Sequence, residues 1–232
     1  GVCAEFVRPR TLDAFARAFG PVGFRRAAFH PCYGLAEATL QVSGDYPLRG
    51  DRQLRVDPAR LRAGEVVPAA DGHAVVSCGP PLRGMSVRVV GPDGPLPEGR
   101  VGELWIAGDH VADGYWGRPD AFADGAPKGD LGFLHGGDVY VVGRVKDVII
   151  LAGTNHHPQD IEEAVAGCHP AIRPDQIAAF GVEVDGAERL GVYVEVDRDD
   201  PAVPAAVRRA VAAAFDLPVE GVGLLPPRTL PR

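Results

Sequence analysis

Lysine is nearly absent: only Lys128 and Lys146 occur in 232 residues, and every other fixed cation is arginine. With a net charge of −7 the chain has no basic surplus to neutralise a nucleic-acid backbone or an anionic bilayer, so neither is expected as a partner. No apolar run approaches the length of a bilayer span, and the start, Gly1-Val2-Cys3-Ala4-Glu5, lacks a basic stretch leading into an apolar one. A cytoplasmic protein without integral membrane association is expected on those grounds. The four cysteines, Cys3, Cys32, Cys78 and Cys168, show no paired spacing. That spacing implies neither a disulfide framework nor a zinc site, but buried free thiols. Also missing is any Ser/Thr/Gly-rich loop closed by lysine, the kind of loop that wraps phosphates.

What is present can fill a core, since 46% of the residues are hydrophobic. Leu12, Phe15, Ala16 and Phe19 follow Thr11 at helical spacing, which predicts a short amphipathic helix capped by Thr11 and stopped by Gly20-Pro21. Ala27 to Thr39 passes from an apolar run through Pro31 and Gly34 into helix-forming residues. A strand, a glycine turn and a helix start make a common anion site, because the amides of a first helical turn point outward. There Gly34 permits close backbone approach, Tyr33 offers a flat ring, and Glu37 offers a ligand for a hard cation. The same residues also suit an ordinary core turn.

Residues 44–72 show no clear periodicity and read as a long surface connection with one strand. From residue 75 the pattern is β-like: Met85 to Val90 alternates, and Gly102 to Gly108 and Asp138 to Gly143 are compact strands separated by Pro/Gly turns. Several short strands of this kind predict a small barrel or distorted sheet. After Lys146 the texture changes. Val148 to Leu151 predicts a strand, and His157 to Val165 a helix with Pro158 in its first position. Then come strands over 177–184 and 189–196, a helix over 201–215 and a last strand over 221–225, the order of an α+β unit. Between the two textures lies Val141 to Ile150, two apolar runs broken by Gly143, Arg144, Lys146 and Asp147, where two domains could join.

The order of motifs is also familiar. Cys32-Tyr33-Gly34-Leu35-Ala36-Glu37-Ala38-Thr39, Gly102 to Gly108, Gly129-Asp130-Leu131-Gly132 and Gly143 to Ile150 resemble, in sequence order, the motifs of the adenylate-forming superfamily. Asn155-His156-His157-Pro158-Gln159-Asp160-Ile161-Glu162 is similar to a run of the fatty acyl-AMP ligases within it.

The resemblance implies an α/β and α+β architecture. The end of a large nucleotide-binding domain would fill residues 1–72 and its small distorted β-barrel 73–145, with a small mobile α+β domain over 146–232. It implies ATP-dependent activation of a fatty acid or related carboxylic acid to an acyl-adenylate. The acyl group would then pass to the phosphopantetheine thiol of an acyl carrier protein, with ATP/AMP and Mg2+ as cofactors. By position Asp130 and Arg144 would hold the ribose; Ala4, Glu5, Cys32, Tyr33, Gly34 and Leu35 would line the nucleotide; Glu37 would bind Mg2+; and Lys146 would be a hinge.

Some positions depart from the family's pattern. Cys3 and Phe6 stand where Gly and Pro are usual, Pro127-Lys128 where Arg-Thr is usual, and the stretch from Asp120 to Gly129 is short. Thr154 and His157 replace Arg and Tyr. The phosphate loop and the terminal catalytic lysine of the family are not in this sequence, so a carboxy-terminal portion of a longer enzyme is expected. Two other readings stay open: an acyl-CoA synthetase, and a non-catalytic module that docks a carrier protein beside a decayed nucleotide site.

Overall fold

The computed structural model describes residues 1–3, 6–45, 49–122, 126–151 and 153–230. The chain divides into two compact units, Gly1–Val145 and Lys146–Arg232.

The first unit begins with helix α1 (Pro9–Phe19). Its cap is Arg8 and not Thr11, because the fixed φ of Pro9 suits the first helical position and draws the start forward. Leu12 is buried with Phe29 and Val76, and Phe15, Phe19, Phe24 and Phe29 pack beside it in a run of tilted and edge-to-face ring contacts. Strands β1 (Tyr33–Leu35) and β2 (Leu40–Ser43) pair antiparallel around a 3-10 turn, Ala36–Ala38.

No α-helix starts after Gly34, contrary to the sequence expectation. Four residues cannot meet the cost of nucleating a helix, and Thr39 and Leu40 take φ values of +52° and +81° that fold the chain straight back. That reversal brings the two backbones so close that a Cβ on Gly34 would lie 1.6 Å from the Leu40 carbonyl oxygen. Only glycine fits there.

The stretch expected as a long connection with one strand contains that strand, β3 (Gln53–Val56), and a one-turn helix α2 (Pro58–Arg62); β4 (His73–Val76), just beyond it, pairs with β3. Asp57 caps α2 by accepting from the amides of Ala59 and Arg60 at 2.8 and 3.0 Å, with Pro58 in first position.

The rest of the unit is an antiparallel sheet of β5 (Met85–Gly91), β6 (Gly94–Pro95), β7 (Gly102–Gly108), β8 (Ala126–His135) and β9 (Asp138–Arg144), in the order β6-β5-β7-β8-β9. The alternation read from the sequence is the burial pattern: Val87 faces Ile106 and Val89 faces Leu104 across the β5–β7 ladder, all buried. The expected barrel does not close among the described residues. Every long strand pairs with its neighbour in the meander, and β6, two residues long, ends the ladder without reaching β9.

The second unit opens with the pair β10 (Ile149–Leu151) and β11 (Thr154–His156), then helix α3 (Pro158–Val165). Pro158 occupies the first position of α3 and Asp160 its first turn, where the helix dipole favours an acid. Strand β12 (Ile172–Val184) turns at Asp185-Gly186, both at positive φ, into β13 (Ala187–Val196). Helix α4 (Val203–Phe215) then crosses back so that β14 (Val219–Leu225) lies parallel to β13.

Ile161 and Val165 of α3, Val203, Val207 and Val211 of α4, and Leu190, Val192 and Val194 of β13 form one core. Each of these buried side chains contributes about 1.5–3 kcal/mol. On β13, Glu195 is 1% exposed and accepts the amides of Arg228, Thr229 and Leu230 at 2.8, 2.8 and 2.9 Å. Burial pushes this carboxyl up, but the three amides outweigh burial and hold it below its ordinary value. Among the described residues no helix is long and apolar enough to cross a membrane.

Candidate active site and its relatives

Three of the residues singled out in the sequence, Tyr33 of β1, Asp130 of β8 and Arg144 of β9, meet. Asp130 of β8 and Arg144 of β9 are direct cross-strand partners, which puts both side chains on one face. Arg144 Nε lies 3.4 Å from Asp130 Oδ1. From the other side the Tyr33 hydroxyl donates to Asp130 Oδ2 at 2.9 Å. One carboxylate is therefore held by a neutral donor and a cation.

Tyr33 and Asp130 are mostly buried, whereas the Arg144 side chain is 57% exposed. Burial raises the Asp130 carboxyl above its ordinary value, although the Tyr33 bond and Arg144 pull the other way; nearby Glu37 adds to the rise. Burial and the Asp130 charge together push the Tyr33 phenol far up, so at neutral pH it is a donor. Its ring sits in the core cluster with Met85 and Leu104.

Glu37 lies in the 3-10 turn after β1, half-buried. Its Oε1 accepts the Tyr115 hydroxyl at 2.5 Å, and its carbonyl accepts the Ala112 amide at 2.8 Å. Thr39 donates to the His110 carbonyl at 3.0 Å, so the segment after β7 is tied to this turn at three points. Among the described residues there is no group of three or more His, Cys, Asp or Glu side chains able to cage a metal. A single carboxylate fits Mg2+ nonetheless, since that ion keeps several waters and uses one or two carboxylates together with substrate phosphates.

Cys32 is buried beside Tyr33, and Gly34 and Leu35 complete β1. Ala4 and Glu5 lie outside the described residues. Lys146 is exposed in the 3-10 turn Val145–Asp147 that follows β9, two residues beyond Arg144.

Two residues that help build the site drew no attention in the sequence. Tyr115 was hidden in Gly114-Tyr115-Trp116-Gly117, where an aromatic pair between glycines was the one available cue. Glu103 read simply as part of a strand. One of its oxygens accepts the Gly129 amide and the other the Trp105 indole, both at 3.0 Å, which fixes the backbone just before Asp130 at the irregularity in the β7–β8 ladder. Cys3 corrects an expectation, being exposed where a buried thiol was read.

The sheet that carries this carboxylate belongs to a fold shared with solved fatty acyl-adenylate ligases. A family model described as AMP-binding enzyme matches residues 1–116, and the chain belongs to that family. Among its relatives is the medium-chain-fatty-acid–acyl-carrier-protein ligase JamA of Moorena producens, 39% identical over 256 aligned positions that cover 99% of this chain and 43% of JamA. Another, from Mycobacterium bovis, is named provisionally as the fatty-acid–CoA ligase fadD21; it is 35% identical, with 98% of this chain and 44% of that protein covered. A solved structure from work on the fatty acyl-adenylate ligases of E. coli and L. pneumophila superposes with a TM-score of 0.90 at 32% identity, over 100% of this chain and 44% of that one. The chain thus spans less than half the length of the relatives it matches.

Proposed function

We propose that the chain carries the nucleotide end of a ligase that activates a fatty acid with ATP and passes the acyl group to an acyl carrier protein. Activation forms an acyl-adenylate and releases pyrophosphate; transfer goes to the phosphopantetheine thiol. The observation that carries this reading is the trio Tyr33, Asp130 and Arg144. A carboxylate has about four acceptor sites. Tyr33 and Arg144 engage one on each oxygen, which leaves capacity for two vicinal hydroxyls such as those of a ribose.

Glu37, fixed by Tyr115, would hold Mg2+, whose charge would offset that of the phosphates. Lys146, at the start of the second unit, is assigned as a pivot between the adenylation and transfer arrangements. Similarity to JamA favours a carrier protein as acceptor, and the name of the M. bovis relative keeps coenzyme A as the competing one.

The test uses the full-length parent with ATP, Mg2+ and fatty acids of graded length, following acyl-AMP and then transfer to coenzyme A or to a carrier protein. Acyl-AMP followed by acyl-carrier protein is expected. Acyl-CoA as the main product would overturn the acceptor. No acyl-AMP with any acid would overturn the ligase and favour a carrier-docking module.

A further inference from the structure

Three of the four cysteines lie in the first unit, and the fold brings two of them side by side. Residues 2–3 run alongside residues 31–32: Val2 and Pro31 form a parallel bridge, the Val2 amide donates to His30 O at 2.8 Å, and the Cys32 amide to Val2 O at 3.1 Å. One step further along both segments stand Cys3 and Cys32, on the same face because paired positions share a face. The two thiols are near enough that, beyond burial, charge on Cys3 raises the Cys32 thiol. Parallel strands lie about 4.8 Å apart, inside the Cα separation of about 4.4–6.8 Å that a disulfide spans. Cys3 is exposed and Cys32 is 8% exposed, so one thiol meets solvent while its neighbour waits behind it. Burial pushes the Cys32 thiol up to about 11, and the exposed Cys3 is the sulfur that an oxidant reaches first.

We propose that Cys3 and Cys32 form a reversible disulfide when the protein meets a hydroperoxide. The Cys3 sulfur attacks the peroxide O–O bond, becomes a sulfenic acid and releases the first oxygen as water or alcohol. Cys32 sulfur then attacks the Cys3 sulfur, the S–O bond breaks and the second oxygen leaves as water. Two thiols lose two electrons and two protons, and the peroxide takes up both. A thiol reductant reverses the step by exchange. Cys78, 4% exposed and hydrogen-bonded to the backbone at Val141, is kept from the oxidant.

Cys32 is followed directly by Tyr33, whose hydroxyl is on Asp130. The bond would therefore pin the strand that carries the site to the segment at residues 1–3. Its expected effect, about tenfold weaker AMP binding, rests on the nucleotide reading of that site; the disulfide itself does not.

The test treats the reduced 232-residue chain with a small excess of hydrogen peroxide, alkylates the remaining thiols and maps peptides without reduction. A Cys3–Cys32 linked peptide is expected, removed by dithiothreitol and absent from Cys3→Ser. Cys3 found as sulfinic or sulfonic acid with Cys32 alkylated would overturn the proposal, as would a Cys32–Cys78 link or a Cys3–Cys3 link between two chains. AMP binding is measured separately on the reduced and oxidised forms. A linked peptide with no AMP binding even when reduced upholds the disulfide and sinks the nucleotide reading. Equal binding in both forms overturns the regulatory effect.

Discussion

Asp130 shows what the site costs the fold. Its carboxyl is raised by burial, the reverse of a carboxylate that stabilises through a salt bridge. The native state then holds its proton more tightly than the unfolded chain. Its contribution to stability is fully present below the ordinary value of about 3.9 and is lost as pH rises through the folded value. The half-exposed Arg144 offsets little of this, because solvent screens it. Asp130→Asn keeps an acceptor for Tyr33 and removes the buried charge. Thermal melts across pH should therefore show the variant as stable as the parent chain in acid and more stable toward neutrality, while calorimetry shows AMP binding weakened by about 2 kcal/mol. Asp130, Arg144 and Glu37 stood out in the sequence because motif order marks single positions, and the structure sets Asp130 and Arg144 side by side. Tyr115 and Glu103 were not, since each acts on a residue distant in sequence and no local pattern encodes that pairing.

At the scale of elements, the turn between β1 and β2 decides how Tyr33 and Glu37 are presented. Gly34→Ala would drive a Cβ into the Leu40 backbone, and a destabilisation of about 3 kcal/mol is expected from denaturant melts, with loss of the β1–β2 pairing. The sequence suggested a helix here because Leu, Ala, Glu and Ala favour one. The left-handed Thr39 and Leu40 that override this preference have no sequence signature, as neither is glycine or asparagine.

Glu195 plays a comparable part in the second unit. Glu195→Gln replaces a full anion with a weaker acceptor and one misplaced donor, so the amides of Arg228, Thr229 and Leu230 should exchange hydrogen faster by mass spectrometry while those of α4 keep their protection. The Glu195 carboxyl is held low, so this anchor is intact above the ordinary carboxylate value. It is lost as pH falls through the folded value.

At the scale of the molecule, each unit has a core of its own. After residue 146 the helices and the longer strands were readable from apolar spacing near four in α4 and apolar runs in β12 to β14, whereas β11, three residues of which two are exposed, was not. The first unit was harder to read, because its strands are short and whether a meander closes into a barrel depends on edges no single strand specifies. Residues 146–232 made alone should unfold cooperatively, and Ile161→Ala should lower that transition by about 2–5 kcal/mol without moving the transition of the first unit in the whole chain. A non-cooperative melt of the isolated piece would refute its independence.

The Tyr33–Asp130 bond also has a consequence in time. It joins residues 97 apart in sequence, and the place of Asp130 depends on the pairing of β8 with β7 and β9. Such a long closure is slow to repay its entropy, so the site should assemble after the sheet's folding barrier has been crossed. Tyr33→Phe is then expected to speed unfolding and leave the refolding rate unchanged in stopped-flow measurements. In kinetic terms the Tyr33–Asp130 contact is expected to be the last part of the unit to arrive and the first to leave.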